Sequence, residues 1–154
     1  MCRALVIDDE PDVRKAVRRR LERSGVKVFD ASSAAQGILM IREADPPYDV
    51  IITDMSMEKP DSGIDVLNAA VARDLFAEVI VLTAYGNVTN AVECMRRGAF
   101  DYVEKNTPGV DVYELLAIKV EQAMDRRRQS LRTVRKWEAV AESLKKEGGN
   151  TEQA

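Results

Sequence analysis

Histidine is absent from this chain of 154 residues, and cysteine occurs twice, as Cys2 and Cys94. Without histidine there is no Ser-His-Asp or Cys-His catalytic set and no histidine-ligated zinc. Two cysteines, one at the N-terminus and one inside a helical pattern, make no disulfide framework; they are expected as reduced thiols. No apolar stretch approaches the ~18 residues of a membrane span, and MCRALVIDDE lacks the long apolar core of a signal peptide. A cytoplasmic protein with no membrane association is expected. Charge is plentiful: 32% of residues are charged against 45% hydrophobic, an ordinary globular mixture with a net charge of −3. That balance excludes a nucleic-acid footprint over the whole chain. Basic residues gather late, since residues 121–154 carry eight Lys/Arg against six Asp/Glu.

Short apolar runs alternate with helical patterns. Ala4–Ile7 is too short for a helix and rich in β-branched residues. Pro11 then suits a helix's first turn, and Val13, Val17 and Leu21 recur at helical spacing until Ser24-Gly25. Val26–Ala31 alternates like an edge strand, and Ser33 with Gln36 matches a capping box opening a second helix to Ala44. Tyr48–Asp54, Glu78–Ala84 and Phe100–Lys105 read as further strands. Helices are expected over Ile64–Asp74, over Asn87–Arg97 and from about Val110 onward. Strands interleaved with helices, joined by crossovers long enough for βαβ units, predict an α/β fold with a doubly wound, five-stranded parallel sheet.

In such sheets ligands bind beyond the carboxyl ends of the strands. The first strand ends in Asp8 and Asp9, the third in Asp54, the fourth in Thr83 and the fifth in Lys105. Adjacent carboxylates repel, and partial burial strengthens the repulsion, so the site calls for a cation. Asp9 and Asp54, with a backbone carbonyl from the following loop, are suited to Mg²⁺, which prefers hard oxygen ligands. Lys105 and Thr83 suit the oxygens of a phosphoryl group, and Asp54 is a candidate nucleophile that would form an aspartyl-phosphate.

With VIDDE, IITD, VLTA and DYVEK at successive strand ends, the chain resembles the receiver domain of two-component response regulators, from Met1 to about Met124. The resemblance implies the flavodoxin-like strand order 2-1-3-4-5, with residues 1–124 as the receiver. It implies that Asp54 is the phosphoacceptor, taking its phosphoryl group from a sensor histidine kinase or phosphotransfer protein in a Mg²⁺-dependent reaction that the domain itself catalyses. Asp9 would bind the ion directly, Asp8 largely through water, and the Ser56 backbone carbonyl would complete the protein ligands. Thr83 would be the switch hydroxyl and Tyr102 the switch aromatic, changing a surface of helix four, strand five and helix five.

Two features depart from that family's pattern. Asn106 follows Lys105 where a proline in a cis peptide is usual, so a trans bond or local strain is expected there. The loop MSMEKPDSG is one residue longer than the usual spacing to its glycine. Tyr85 is expected to crowd the acceptor. An aspartyl-phosphate phosphatase would need a second Asp where Ser56 stands, and a flavodoxin-like cofactor binder would need a Ser/Thr/Gly-rich loop after the first strand. The remaining alternative is a receiver-like interaction or dimerisation domain that is not phosphorylated.

Residues 125–146 are expected as a helical extension, a linker or coiled coil, and 147–154 as a disordered tail. A heptad-like stripe through Leu116, Val120, Ala123, Val134, Trp137, Ala141 and Leu144 is interrupted by DRRRQS. A homodimer through this extension or through the helix 4/strand 5/helix 5 surface is consistent with the pattern, and the single tryptophan, Trp137, is expected to find a packing partner. Direct nucleic-acid binding is not expected: Glu138, Glu142 and Glu147 soon balance the arginines, with no room for a helix-turn-helix domain.

Overall fold

The structure, a computed structural model, describes the backbone of residues 1–153 and the side chains of residues 1–148. Ten elements alternate: β1 (Arg3–Ile7), α1 (Pro11–Arg23), β2 (Lys27–Ala31), α2 (Ala34–Glu43), β3 (Val50–Asp54), α3 (Ser62–Arg73), β4 (Glu78–Thr83), α4 (Val88–Arg96), β5 (Asp101–Glu104) and α5 (Val112–Gln153). The strands form one parallel sheet in the order β2-β1-β3-β4-β5. The strand order implied by the resemblance is therefore the one observed.

Local chemistry sets the boundaries. Pro11 opens α1 at its first turn, where its missing N–H costs nothing. Gly25 turns the chain out of α1 at φ 82°, a backbone region that disfavours other residues. The Ser33 hydroxyl accepts from Gln36 N–H at 3.1 Å, and the Asn87 side chain accepts from Asn90 N–H at 2.7 Å, capping α2 and α4.

Alternating strand residues feed two cores. Leu5, Ile7, Ile51, Val79 and Val81 pack with Ile41, Val66, Leu67, Ala70 and Cys94 from α2, α3 and α4. Ala4, Val6, Ile52, Ile80 and Leu82 pack with Val13, Val17 and Leu21 of α1 and Leu116, Val120 and Ala123 of α5. Each fully buried aliphatic side chain contributes about 1.5–3 kcal/mol, so both faces hold the central strands in place. That leaves the ends of the strands as the places where polar side chains collect.

At the amino ends, α5 is bolted to the sheet. Arg127, only 7% exposed, meets Asp49 Oδ1 at 2.9 Å and Asp74 Oδ2 at 2.8 Å. Asp49 Oδ2 also accepts the Arg3 N–H at 2.8 Å. Arg126 grips the buried Glu78, with Nε 2.9 Å from both carboxylate oxygens and a closer contact through Nη2, and lies over the Phe100 ring at 4.7 Å. The contacts of the folded body thus run past Met124, and the interruption in the stripe is where an ion-paired arginine takes a buried position. Beyond it the stripe is mostly exposed: Trp137 is 67% exposed and Leu144 63%.

The backbone of residues 147–153, expected as a disordered tail, continues α5. No proline follows Pro108, and lengthening an existing helix needs no new nucleus. Ala154 lies outside the described residues. No helix among the described residues is long and apolar enough to cross a membrane.

Candidate functional site

The carboxyl ends of β1, β3, β4 and β5 converge on one rim. β1 delivers Asp8, which is 1% exposed; its N–H donates to Ala31 O at 3.2 Å and its Oδ1 accepts from Glu10 N–H at 2.9 Å. β3 lies between β1 and β4 and delivers Asp54, 6% exposed. Helix α3 begins hard against that strand end: Gly63 N–H donates to Met55 O at 2.8 Å, and a Cβ on Gly63 would stand 2.8 Å from both Asp54 O and Met55 Cα. Only glycine permits that approach, which is why the loop after Asp54 closes on this residue.

Asp8, Asp9, Glu10 and Asp54 each bring a carboxylate oxygen within 4.8 Å of the others. Glu10 was absent from the candidate ligands read from the sequence, although it belongs to the same acidic run. Among the described residues one side-chain cation pairs with three of the four. Lys105 Nζ lies 2.8 Å from Asp8 Oδ2, 3.3 Å from Asp54 Oδ2 and 3.4 Å from Glu10 Oε1. Asp8 Oδ2 is enclosed and makes an ion pair rather than a well-aligned hydrogen bond. Burial, and then the Asp8 charge, push the Asp54 carboxyl up to about 6, against the opposing pull of Lys105 and the Ser56 N–H. Burial disfavours the charge on Lys105, but Asp8 and Asp54 outweigh it and raise its pKa. The rim is short of positive charge. Four carboxylates this close, all hard oxygen donors, form a cluster that could hold a divalent cation such as Mg²⁺.

The Lys105–Asn106 bond is trans, since among the described residues only Asp45-Pro46 is cis. Lys105 still reaches all three acids; its N–H is held by Thr83 O at 2.7 Å. Thr83 is buried one residue past Leu82, the register partner of Asp54. Its hydroxyl turns back to accept from Tyr85 N–H at 3.3 Å and makes no hydrogen bond to the acids among the described residues. Tyr102 packs its ring against the core, and its buried hydroxyl has no hydrogen-bond partner among the described residues. Tyr85 does not crowd Asp54 as expected: it is 88% exposed. A residue two positions past a strand end has left the sheet, and nothing there folds the ring inward. Ser56 is exposed, with its hydroxyl 2.8 Å from Pro60 O.

The profile of the response regulator receiver domain matches residues 4–117. The chain belongs to that family. Receiver domains are signalling domains of two-component systems rather than enzymes in the ordinary sense, and as a class they bind Mg²⁺. A relative is the C4-dicarboxylate transport transcriptional regulatory protein DctD of Pseudomonas aeruginosa, 35% identical over 85% of this chain but only 27% of DctD. The transcriptional regulatory protein KdpE of Mycobacterium tuberculosis is 43% identical over 68% of this chain and 45% of KdpE. The chain thus spans less than half the length of these two relatives. A receiver domain structure from Clostridium thermocellum superposes with a TM-score of 0.74 at 34% identity, covering 84% of this chain and 98% of that one. The beryllofluoride-activated NtrC4 receiver domain dimer gives 0.71 at 27% identity, covering 82% and 99%.

Proposed function

We propose that this receiver is a phosphoacceptor and that Asp54 is the residue phosphorylated. The observation that carries the reading is a buried Asp54 at the end of a central strand, between an acid cluster and the ammonium of Lys105, 3.3 Å away. A carboxylate oxygen of Asp54 attacks the phosphorus of a phosphohistidine on a sensor histidine kinase or phosphotransfer protein. The P–N bond breaks as the P–O bond forms, and the electron pair leaves with the imidazole nitrogen. Lys105 faces the oxygens on which charge builds, and Thr83 stands at the neighbouring strand end as a hydroxyl donor. Asp8, Asp9 and the Ser56 carbonyl, with Asp54, would hold Mg²⁺, which supplies charge neutralisation and alignment when bound. Once Asp54 is phosphorylated, the Thr83 hydroxyl gives up its contact with Tyr85 N–H for a phosphoryl oxygen, and the unpartnered Tyr102 hydroxyl shifts with it. The exposed Val88, Val92 and Met95 of α4 lie on the surface that this change alters.

The reading extends to a homodimer through the C-terminal helix. Trp137, Val140 and Leu144 are exposed along one stripe of α5, and the related NtrC4 receiver is a dimer in its activated form. Reach of Lys105 across a trans junction argues against a receiver-like domain without phosphorylation chemistry.

The deciding experiment is intact mass after incubation with acetyl phosphate and Mg²⁺. One phosphoryl adduct, lost in EDTA and in Asp54→Asn, is expected. A folded protein that neither gains the adduct nor binds beryllofluoride overturns the assignment.

A further inference from the structure

Two residues past Ser56, the side chain of Glu58 leaves its own loop and ends on a different element. Its Oε1 accepts from Ala34 N–H at 2.8 Å and its Oε2 from Ala35 N–H at 3.0 Å. These are the first two residues of α2, whose cap Ser33 accepts only the Gln36 N–H. First-turn amides have no partner within a helix and favour an anion, so a carboxylate is the side chain that best fits there. The ties within the loop run elsewhere. Met57 N–H donates to Lys59 O at 3.1 Å, Lys59 N–H to Ser62 Oγ at 2.9 Å, and the Lys59 ammonium pairs with Asp65. Glu58 supplies the hydrogen bonds between this loop and α2 among the described residues.

The place of that tie matters because the loop carries Ser56, whose side chain is exposed and whose carbonyl is the candidate ligand from the backbone. Gly63 fixes the far end against Met55, and Glu58 fixes the middle against a helix that is itself packed on β1. We propose that Glu58 is a positioning residue for the acceptor site: by tying the loop to the N-terminus of α2, it sets the Ser56 carbonyl in register with the Asp54 carboxylate for a divalent cation. This rests on the reading of Asp54 as a Mg²⁺-dependent acceptor.

The test uses the whole chain with MgCl2 as the probe. In Glu58→Ala the Ala34 and Ala35 amides exchange with solvent faster than in wild type. Its Mg²⁺ dissociation constant, read from the Asp9 and Ser56 amide shifts, rises roughly tenfold, as for other residues that orient a metal ligand. Labelling by acetyl phosphate returns to the wild-type rate at saturating Mg²⁺. Glu58→Asp keeps the charge and shortens the reach, so its constant rises as well, which separates positioning from loss of a negative charge. Glu43→Ala removes the same charge from the other end of α2 and leaves the constant unchanged.

A wild-type Mg²⁺ constant in folded Glu58→Ala overturns the proposal, as does an equal rise in Glu43→Ala. If Glu58→Ala does not fold, Glu58→Asp decides, and a wild-type constant there overturns it too. Wild-type protein that binds no Mg²⁺ refutes the acceptor reading itself and the positioning role with it; amide exchange at Ala34 and Ala35 still reports the tie.

Discussion

The two ends of the sheet solve the same electrostatic problem in opposite ways. The amino rim gathers three acids around two guanidinium groups, and the carboxyl rim four acids around one ammonium. At the amino rim both oxygens of Asp49, Asp74 and Glu78 are engaged: Arg127 bridges Asp49 and Asp74, Arg126 grips Glu78, and backbone amides of Arg3 and Phe76 take what remains. At the carboxyl rim a single ammonium is divided among Asp8, Asp54 and Glu10 at 2.8–3.4 Å. Guanidinium forks match carboxylates in number and direction, whereas an ammonium is a point charge. The first rim is saturated and acts as a fastening. The second is left in deficit, and the deficit is what a metal ion and a phosphoryl group would relieve.

The largest expected effect separates the rims by chemistry. Asp54→Asn should reduce phosphoryl labelling to background, while Arg127→Met leaves the labelled fraction of folded protein unchanged; intact mass reads both. Next comes stability. Arg127→Met leaves Asp49 and Asp74 without their shared cation, and breaking a buried pair this way costs about 3–5 kcal/mol. Urea unfolding should show that loss, and Asp49→Asn with Asp74→Asn in the same chain should recover part of it.

At the other rim, removing an acid should have the reverse sign. The folded protein holds a proton on Asp54 up to about pH 6, against an ordinary value of 3.8, mainly because of burial and the Asp8 charge. Between these values the folded state binds more protons than the unfolded chain, so in EDTA stability falls as pH rises through that window. The fall is about 3 kcal/mol at most. Asp54→Asn lacks this decline and should be the more stable protein in EDTA at neutral pH, with Mg²⁺ narrowing the gap by stabilising the wild type. A urea midpoint for wild type that is flat from pH 4 to 7.5 would sink the idea of a charge-deficient rim. The smallest effect belongs to the extension: Trp137→Ala should weaken self-association by about 2 kcal/mol, within the range for burying one large apolar side chain, as read by sedimentation equilibrium.

Much of the fold could be read in advance because the sheet's two faces leave the strands as continuous apolar runs, bounded by Pro11, Gly25 and the caps Ser33 and Asn87. The convergence of Asp8, Asp54 and Lys105 was equally accessible, because each ends a strand and parallel strands end on one rim. What escaped were contacts that no local pattern encodes. Arg127 looked like an interruption of an apolar stripe; its partners Asp49 and Asp74 lie 78 and 53 residues away, and only the packed register brings them together. Glu58 drew no reading of its own, since nothing near it in sequence announces the amides of α2. Tyr85 was placed near the acceptor by its distance along the chain, but the direction of an exposed side chain is not set by sequence spacing.

Arg126 and Arg127 are consecutive, and consecutive residues point about 100° apart around a helix. Gripping both stops α5 from rolling about its axis as well as from tilting off the sheet. Beyond that grip the helix runs from Arg128 to Gln153, ~38 Å at the usual rise per residue. A rod of that length held at one end works as a pointer: a tilt of roughly 5° at the grip would sweep its tip by ~3 Å, about two residues of helical rise. Motions too slight to disturb the packed sheet would be legible at the far end of the helix.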